Sequence, residues 1–149
     1  MEFTPHIKFF NELTVTELYN ILRLRSEVFV VEQNCVYQDI DNKDLKCYHL
    51  MLFKDNELAA YARLVPPGLS FNEMSIGRVV SNPKYRRTGA GRILMKLAIE
   101  KCQQVFAEGA IKIGAQTYLL NFYSSLGFVV ASEPYDEDGI PHIDMIRKL

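Results

Sequence analysis

The residues with the clearest chemical potential stand between Val79 and Arg92, in the run VVSNPKYRRTGAGR. A short β-branched stretch, Ile76 to Val80, ends at a turn carrying Asn82 and Pro83. Arg86-Arg87-Thr88-Gly89-Ala90-Gly91 then opens a long amphipathic segment. A strand that stops at a proline and resumes as a helix behind two glycines suits phosphate binding. Small residues let the backbone approach the ligand. The first amides of the helix have no intrahelical acceptor, and the helix dipole favours negative charge there. The guanidiniums of Arg86 and Arg87 add positive charge beside those amides. Two common phosphate loops are excluded. No Lys-Ser or Lys-Thr follows the glycines, as a nucleotide P-loop requires. Arg92 to Phe106 also shows neither the third glycine nor the later acidic residue of a dinucleotide fingerprint at the required place.

The elements that must position this loop are legible from the same chain. At 149 residues, with 48% apolar and 23% charged, the chain is expected to form one domain, residues 1–149, with a substantial core. A formal net charge of -1 gives no electrostatic case for nucleic acid or an anionic membrane as partner. The Met1–Pro5 start shows no secretory pattern, and no apolar run approaches a membrane span. Cys35, Cys47 and Cys102 have no paired spacing, so they read as reduced thiols of a cytoplasmic protein, with no metal site. Ile7 to Phe10 is strand-like. Thr14-x-x-Glu17 is a capping box opening a helix whose stripe holds Leu18, Ile21, Leu22, Arg25, Val28 and Phe29. Asn34 to Lys46 is polar and acidic, a predicted loop. Tyr48–Lys54 and Leu58–Val65 predict a hairpin around Asp55-Asn56, and Ser75–Val80 the strand before the phosphate loop. Ala90 to Phe106 is the clearest helix. A strand (Ile111–Ala115), a short helix (Tyr118–Leu126) and two strands (Phe128–Ala131, His142–Arg147) around the loop Glu133–Pro141 complete the chain. This order predicts an α/β fold with a mixed sheet of about seven strands, one parallel pair being joined by the Ala90–Phe106 crossover.

Arg86-x-x-Gly89-x-Gly91 after a strand resembles the acyl-CoA pyrophosphate loop of the GNAT superfamily of N-acetyltransferases, and the order of elements resembles the whole GNAT fold. A second motif agrees: Phe122-Tyr123-Ser124-Ser125-Leu126-Gly127-Phe128 is similar to the superfamily's Phe/Leu-Tyr-x-x-x-Gly-Phe segment. Leu24 to Gln33 with Tyr37, Asp39 and Asp41, together with Asp138-Gly139-Ile140-Pro141-His142-Ile143, resembles the ElaA-type branch. Gln116 departs from the superfamily, many of whose members carry Asn there. The resemblance implies a mostly antiparallel central sheet with flanking helices, splayed at the acyl-CoA site. It implies acetyl-CoA as co-substrate. Val79, Val80 and Ser81 would pair with the pantetheine arm, and Arg86, Arg87, Thr88, Gly89, Ala90, Gly91 and Arg92 would hold the pyrophosphate. Val79 and Val80 also fit a plain buried strand.

The implied reaction is acetyl transfer to a primary amine of a small molecule or peptide. A backbone N–H of the splayed strand, at Val80, suits the developing oxyanion. By resemblance Tyr123 takes the general-acid place. A phenol with a pKa of about 10 stays protonated at neutral pH and can donate to a thiolate whose acid has a pKa of roughly 8.5. For the general base, His142 and Glu73 are candidates, alongside Glu32, His49 and a chain of waters. Asp39, Asp41, Asp44 and Glu32 form an acidic group read as loop and cap residues, with attraction of a cationic amine as the other reading. A non-catalytic acyl-CoA-binding or sensing module is the alternative to an enzyme; the oligomeric state is open, a homodimer being one reading.

Overall fold

Tyr48–Lys54 (β2) and Glu57–Val65 (β3) pair antiparallel around Asp55-Asn56, as their patterning predicts. Both turn residues take positive φ, 51° and 67°, the geometry that matches the twist of a tight hairpin. Period-two alternation decides what each face of this hairpin covers. Leu50, Leu52, Ala60, Ala62 and Leu64 point to one core, and Met51 and Tyr61 to another.

The computed structural model describes residues 2–149, arranged as two sheets in a wedge. In the first sheet β1 (Thr4–Phe9), β2, β3 and β4 (Ser75–Ser81) lie in that spatial order, all antiparallel. In the second, β5 (Ile111–Gln116) lies beside β8 (Ile140–Arg147), which also pairs with β6 (Val129–Val130) and β7 (Tyr135–Glu137). The described residues therefore hold eight strands, one more than the seven expected. The addition, β7, falls in the predicted loop Glu133–Pro141. Asp138 (φ 53°) and Gly139 (φ 82°) form a two-residue hairpin turn there, which brings Glu137 opposite Ile140. The predicted parallel pair is reduced to one bridge, Met74 to Ile111, with Lys112 N–H donating to the Met74 carbonyl at 3.0 Å.

Three helices flank the wedge. Thr14 caps α1 (Val15–Arg25): its hydroxyl accepts from Glu17 N–H at 3.0 Å, and the Glu17 carboxylate accepts from Thr14 N–H at 2.8 Å. The chain then widens into a π-helical stretch, Ser26–Glu32. Ile21, Leu24 and Val28 from this arm pack on Met51, Tyr61 and Val80. On the opposite face of the first sheet, α2 (Ala90–Val105) buries Leu94, Met95, Ala98 and Cys102. The short α3 (Leu120–Ser124) is closed by Gly127 at φ 96° and packs Tyr123 against Phe128. No helix among the described residues is long and apolar enough to cross a membrane.

Candidate active site

The site begins where β4 and β5 part. Past the Met74–Ile111 bridge β4 has no partner on that edge among the described residues, because β5 turns away to pair with β8. The wedge holds a cavity of about 960 Å³. Val79, Val80 and Ser81 line one wall, Ile113, Gly114 and Gln116 the other. The mouth is spanned by an amide pair, Gln33 Nε2 to Gln116 Oε1 at 3.3 Å, so the Gln116 amide is engaged within the protein.

The phosphate-type loop stands at one end of this cleft. Gly89 caps α2 at φ 86°, a conformation that favours glycine, and nothing lies within 4 Å of where its Cβ would be. The helix behind it is long, with Ile93 N–H making an early intrahelical bond to Gly89, so the amides before it face outward. Arg86 is held by Glu32 through two bonds, 2.7 and 2.5 Å, and that pairing lowers the carboxyl's pKa. Arg92 braces α3: it donates to Ser125 Oγ at 3.0 Å and lies over the Phe122 ring at 5.5 Å.

Of the residues singled out from the sequence, Glu32, Asp41, Val79, Val80, Ser81, Arg86, Gly91, Gln116, Tyr123 and His142 line the same cavity, with the Glu32 carboxylate taken up by Arg86. Arg87, Thr88, Gly89, Ala90 and Arg92 belong to the adjoining loop and first helical turn without lining it. Glu73 is outside: it precedes β4 at the closed end of the wedge, beside the Met74 bridge. His49 is also outside. It is buried, and its ring nitrogens are spent on Tyr61 Oη (2.7 Å) and the Asp44 carbonyl (2.9 Å). A carbonyl only accepts, so the His49 proton sits on Nε2 and Nδ1 accepts from Tyr61. Burial holds its pKa below the ordinary imidazole value.

Two further titratable groups face the cavity: the Tyr123 hydroxyl is unpaired among the described residues, and His142 Nε2 stands beside the Glu137 carboxylate. Tyr123 is 6% exposed, and its hydroxyl has no hydrogen-bond partner among the described residues. Burial pushes its pKa well up, so the phenol stays protonated at physiological pH, as a weaker acid than a free phenol. His142 is stacked on Tyr135, and its Nδ1 lies 2.7 Å from the Ile140 carbonyl. That contact places the proton of the neutral ring on Nδ1 and leaves a lone pair on Nε2, with Glu137 Oε2 3.4 Å away.

The acidic loop differs most from the expectation. Asp39, Asp41 and Asp44 are ion-paired with three arginines from three elements. Arg25 of α1, 0% exposed, donates to Asp39 Oδ2 (2.9 Å), the Asp39 carbonyl (3.0 Å) and Asp44 Oδ1 (2.8 Å). Arg63 of β3 bridges Asp41 and Asp44, and Arg78 of β4 reaches Asp39 and Asp41. Burial alone would raise the carboxyls of Asp41 and Asp44, but the guanidiniums outweigh it and hold both below the usual range. An arginine on the buried stripe of a helix was the available signal for such a lattice. Arg63 and Arg78, inside strand-like runs, were the others.

With the cleft described, the comparisons with known proteins agree on its class. The model of the acetyltransferase (GNAT) domain matches residues 14–149. The chain belongs to the GNAT acetyltransferase family, in its ElaA-type branch. It is 44% identical to protein ElaA of Escherichia coli, over 93% of this chain and 92% of that one. It is 48% identical to a UPF0039 protein of Schizosaccharomyces pombe, over 95% of each. Among solved structures it is similar to an acyl-CoA N-acyltransferase from Pseudomonas aeruginosa, with a TM-score of 0.92 and 41% identity over 98% of this chain and 99% of that one.

Proposed function

We propose that the protein is an acetyl-CoA-dependent N-acetyltransferase that moves an acetyl group to a primary amine of a small molecule or peptide by direct attack in a ternary complex. What carries this reading is that one cleft joins a phosphate-type loop to two buried side chains, Tyr123 with a hydroxyl unpaired among the described residues and His142 with Nε2 beside Glu137. The acyl-CoA N-acyltransferase from P. aeruginosa, similar over nearly its whole length, supports the same reading.

The residues present fit acetyl-CoA. The left-handed Gly89, with open space beside it, leaves room for a pyrophosphate over the amides of Thr88, Gly89, Ala90 and Gly91. Arg87 and Arg92 supply positive charge around them, while the charge of Arg86 is balanced by Glu32 in this structure. The open edge of Val79, Val80 and Ser81 offers backbone groups to the pantetheine arm in place of the strand that has turned away. In the transfer the amine nitrogen attacks the thioester carbon. The carbonyl oxygen, becoming an oxyanion, accepts from an N–H on the cleft edge of the 79–81 segment; Val80, which the sequence suggested, pairs with Tyr61 and turns its own N–H toward β3. His142 Nε2 takes the proton released as the C–N bond forms. The C–S bond then breaks, and Tyr123 gives its proton to the leaving thiolate. His142 is preferred to Glu73 as base because it lines the cavity and Glu73 does not.

The test is release of free CoA thiol from acetyl-CoA across a panel of primary amines. Amine-dependent release is expected. Tyr123→Phe should lower kcat by about 10²-fold with acetyl-CoA affinity unchanged, the scale of general acid catalysis. Binding of acetyl-CoA without acceleration by any amine would favour the sensing module instead.

A further inference from the structure

The strand that lines the cleft is not regular. Tyr61 pairs with Val80, but Arg63 pairs with Gly77, so Arg78 and Val79 together oppose Ala62. This is a bulge, and Arg78 adopts φ 50°, a left-handed conformation that is strained for a side chain of its size. The side chain shows what holds it there. Arg78 Nη2 donates to the Asp39 carbonyl at 3.0 Å and to Asp41 Oδ2 at 3.2 Å. Its Nε stands 2.8 Å from Asp39 Oδ1 without the alignment of a hydrogen bond. Its guanidinium lies 5.6 Å from the centroid of the Tyr37 ring, and the Tyr37 hydroxyl donates to Asp39 Oδ1 at 2.6 Å. Asp39 and Asp41 are in turn fixed by the buried Arg25 and Arg63. The bulge is therefore clamped to a charged lattice whose Tyr37, Asp41, Arg63 and Arg78 line the cavity together with Val79 and Val80.

We propose that Arg78 is a positioning residue: clamped by Asp39 and Asp41, it holds the β4 bulge and so aims the backbone N–H of the 79–81 segment at the thioester carbonyl. This rests on the reading that the cleft takes an acyl-CoA. In a regular strand alternate amides face the open edge in one fixed phase; the extra residue at the bulge shifts that phase, so the hold on Arg78 sets which amide meets the carbonyl.

The test needs no acceptor amine. Calorimetric titration of wild type, Arg78→Met and Arg78→Lys with CoA and with acetyl-CoA reads the preference for the acetyl group. Wild type is expected to bind acetyl-CoA about fivefold tighter than CoA, the worth of one added hydrogen bond. Arg78→Met should keep its CoA affinity within about twofold and lose that preference. Arg78→Lys keeps the charge but only part of the fork, and should fall between. If Arg78→Met does not fold, judged by circular dichroism, Arg78→Lys alone decides. An unchanged preference in the folded variants, or an equal loss of both ligands, would overturn the inference. A wild type that binds CoA but shows no preference would overturn it while leaving the cleft reading intact. A wild type that binds neither ligand would overturn both.

Discussion

Arg25→Met is the most direct probe of the charged lattice. The guanidinium is 0% exposed and makes three hydrogen bonds, two to Asp39 and one to Asp44. Breaking a buried ion pair by removing one partner costs about 3–5 kcal/mol, because the other charge is left uncompensated. Here neither acid is abandoned. Asp44 keeps Arg63 at 3.0 Å, and Asp39 keeps Arg78 at 2.8 Å and the Tyr37 hydroxyl at 2.6 Å. The low end applies, so the expected loss is about 3 kcal/mol. At about 2–4 °C per kcal/mol for a chain of this size, Tm should fall by about 6–12 °C. Urea unfolding should show the same loss as a lower midpoint at unchanged slope. This figure measures acids left short of a partner; the net worth of the lattice is smaller, since desolvation of six charges opposes it. Pairing the change with Asp44→Asn tests the logic further: the double variant should lose less than the sum, by about 0.5–3 kcal/mol of coupling. A Tm shift under about 2 °C, or strict additivity, would refute the reasoning.

Further outcomes follow from the titratable groups. His49 is held neutral in the fold with its pKa below 6.5, so the unfolded chain binds more protons in that range. Stability should therefore decline as pH falls through about 6.5, and His49→Gln should remove that part of the decline in a pH series of melts. Asp41 and Asp44 have folded pKa values below 3.8, so their contribution is present above about pH 4 and lost as pH falls through the lowered values. Burial pushes the Cys47 thiol up to about 11 and Cys102 up to about 12. Neither should react with a disulfide reagent at pH 8 until the chain unfolds, when all three free cysteines should titrate.

What the chain reveals before folding is what its local physics determines. The α1 capping box, the Asp55-Asn56 hairpin and the α2 stripe were legible because each depends on neighbours within a few residues. The phosphate-type loop and the Tyr123 segment were legible as motifs, and the fold brings both to one cleft. The Asp138-Gly139 turn was visible, but not the strand β7 it creates, since three polar exposed residues carry no periodic signal. The ionic lattice was hidden. Arg25, Arg63 and Arg78 are 38 and 15 residues apart along the chain, and only the closed sheet sets them around one loop. The bulge at Arg78 was hidden for the same reason: its strain is offset by contacts with Asp39 and Asp41, far away in sequence. Glu73 suited a base by its place before β4, yet the one parallel bridge closes the wedge at that end.

The central claim is that the Arg86–Gly91 loop and the β4 edge hold acetyl-CoA. The measurement that tests it most directly is thermal unfolding of wild type and Gly89→Glu with and without acetyl-CoA. A ligand that binds only the native state at 100 times its Kd stabilises by about 2.7 kcal/mol, which raises Tm by about 5–11 °C in a chain of this size. Gly89→Glu places a carboxylate in the open space over the helix start and strains a position at φ 86°, lowering the ligand-free Tm slightly. The account predicts a clear upward shift for wild type and none for the folded variant. No shift for wild type at millimolar acetyl-CoA, or an equal shift in both proteins, would contradict it.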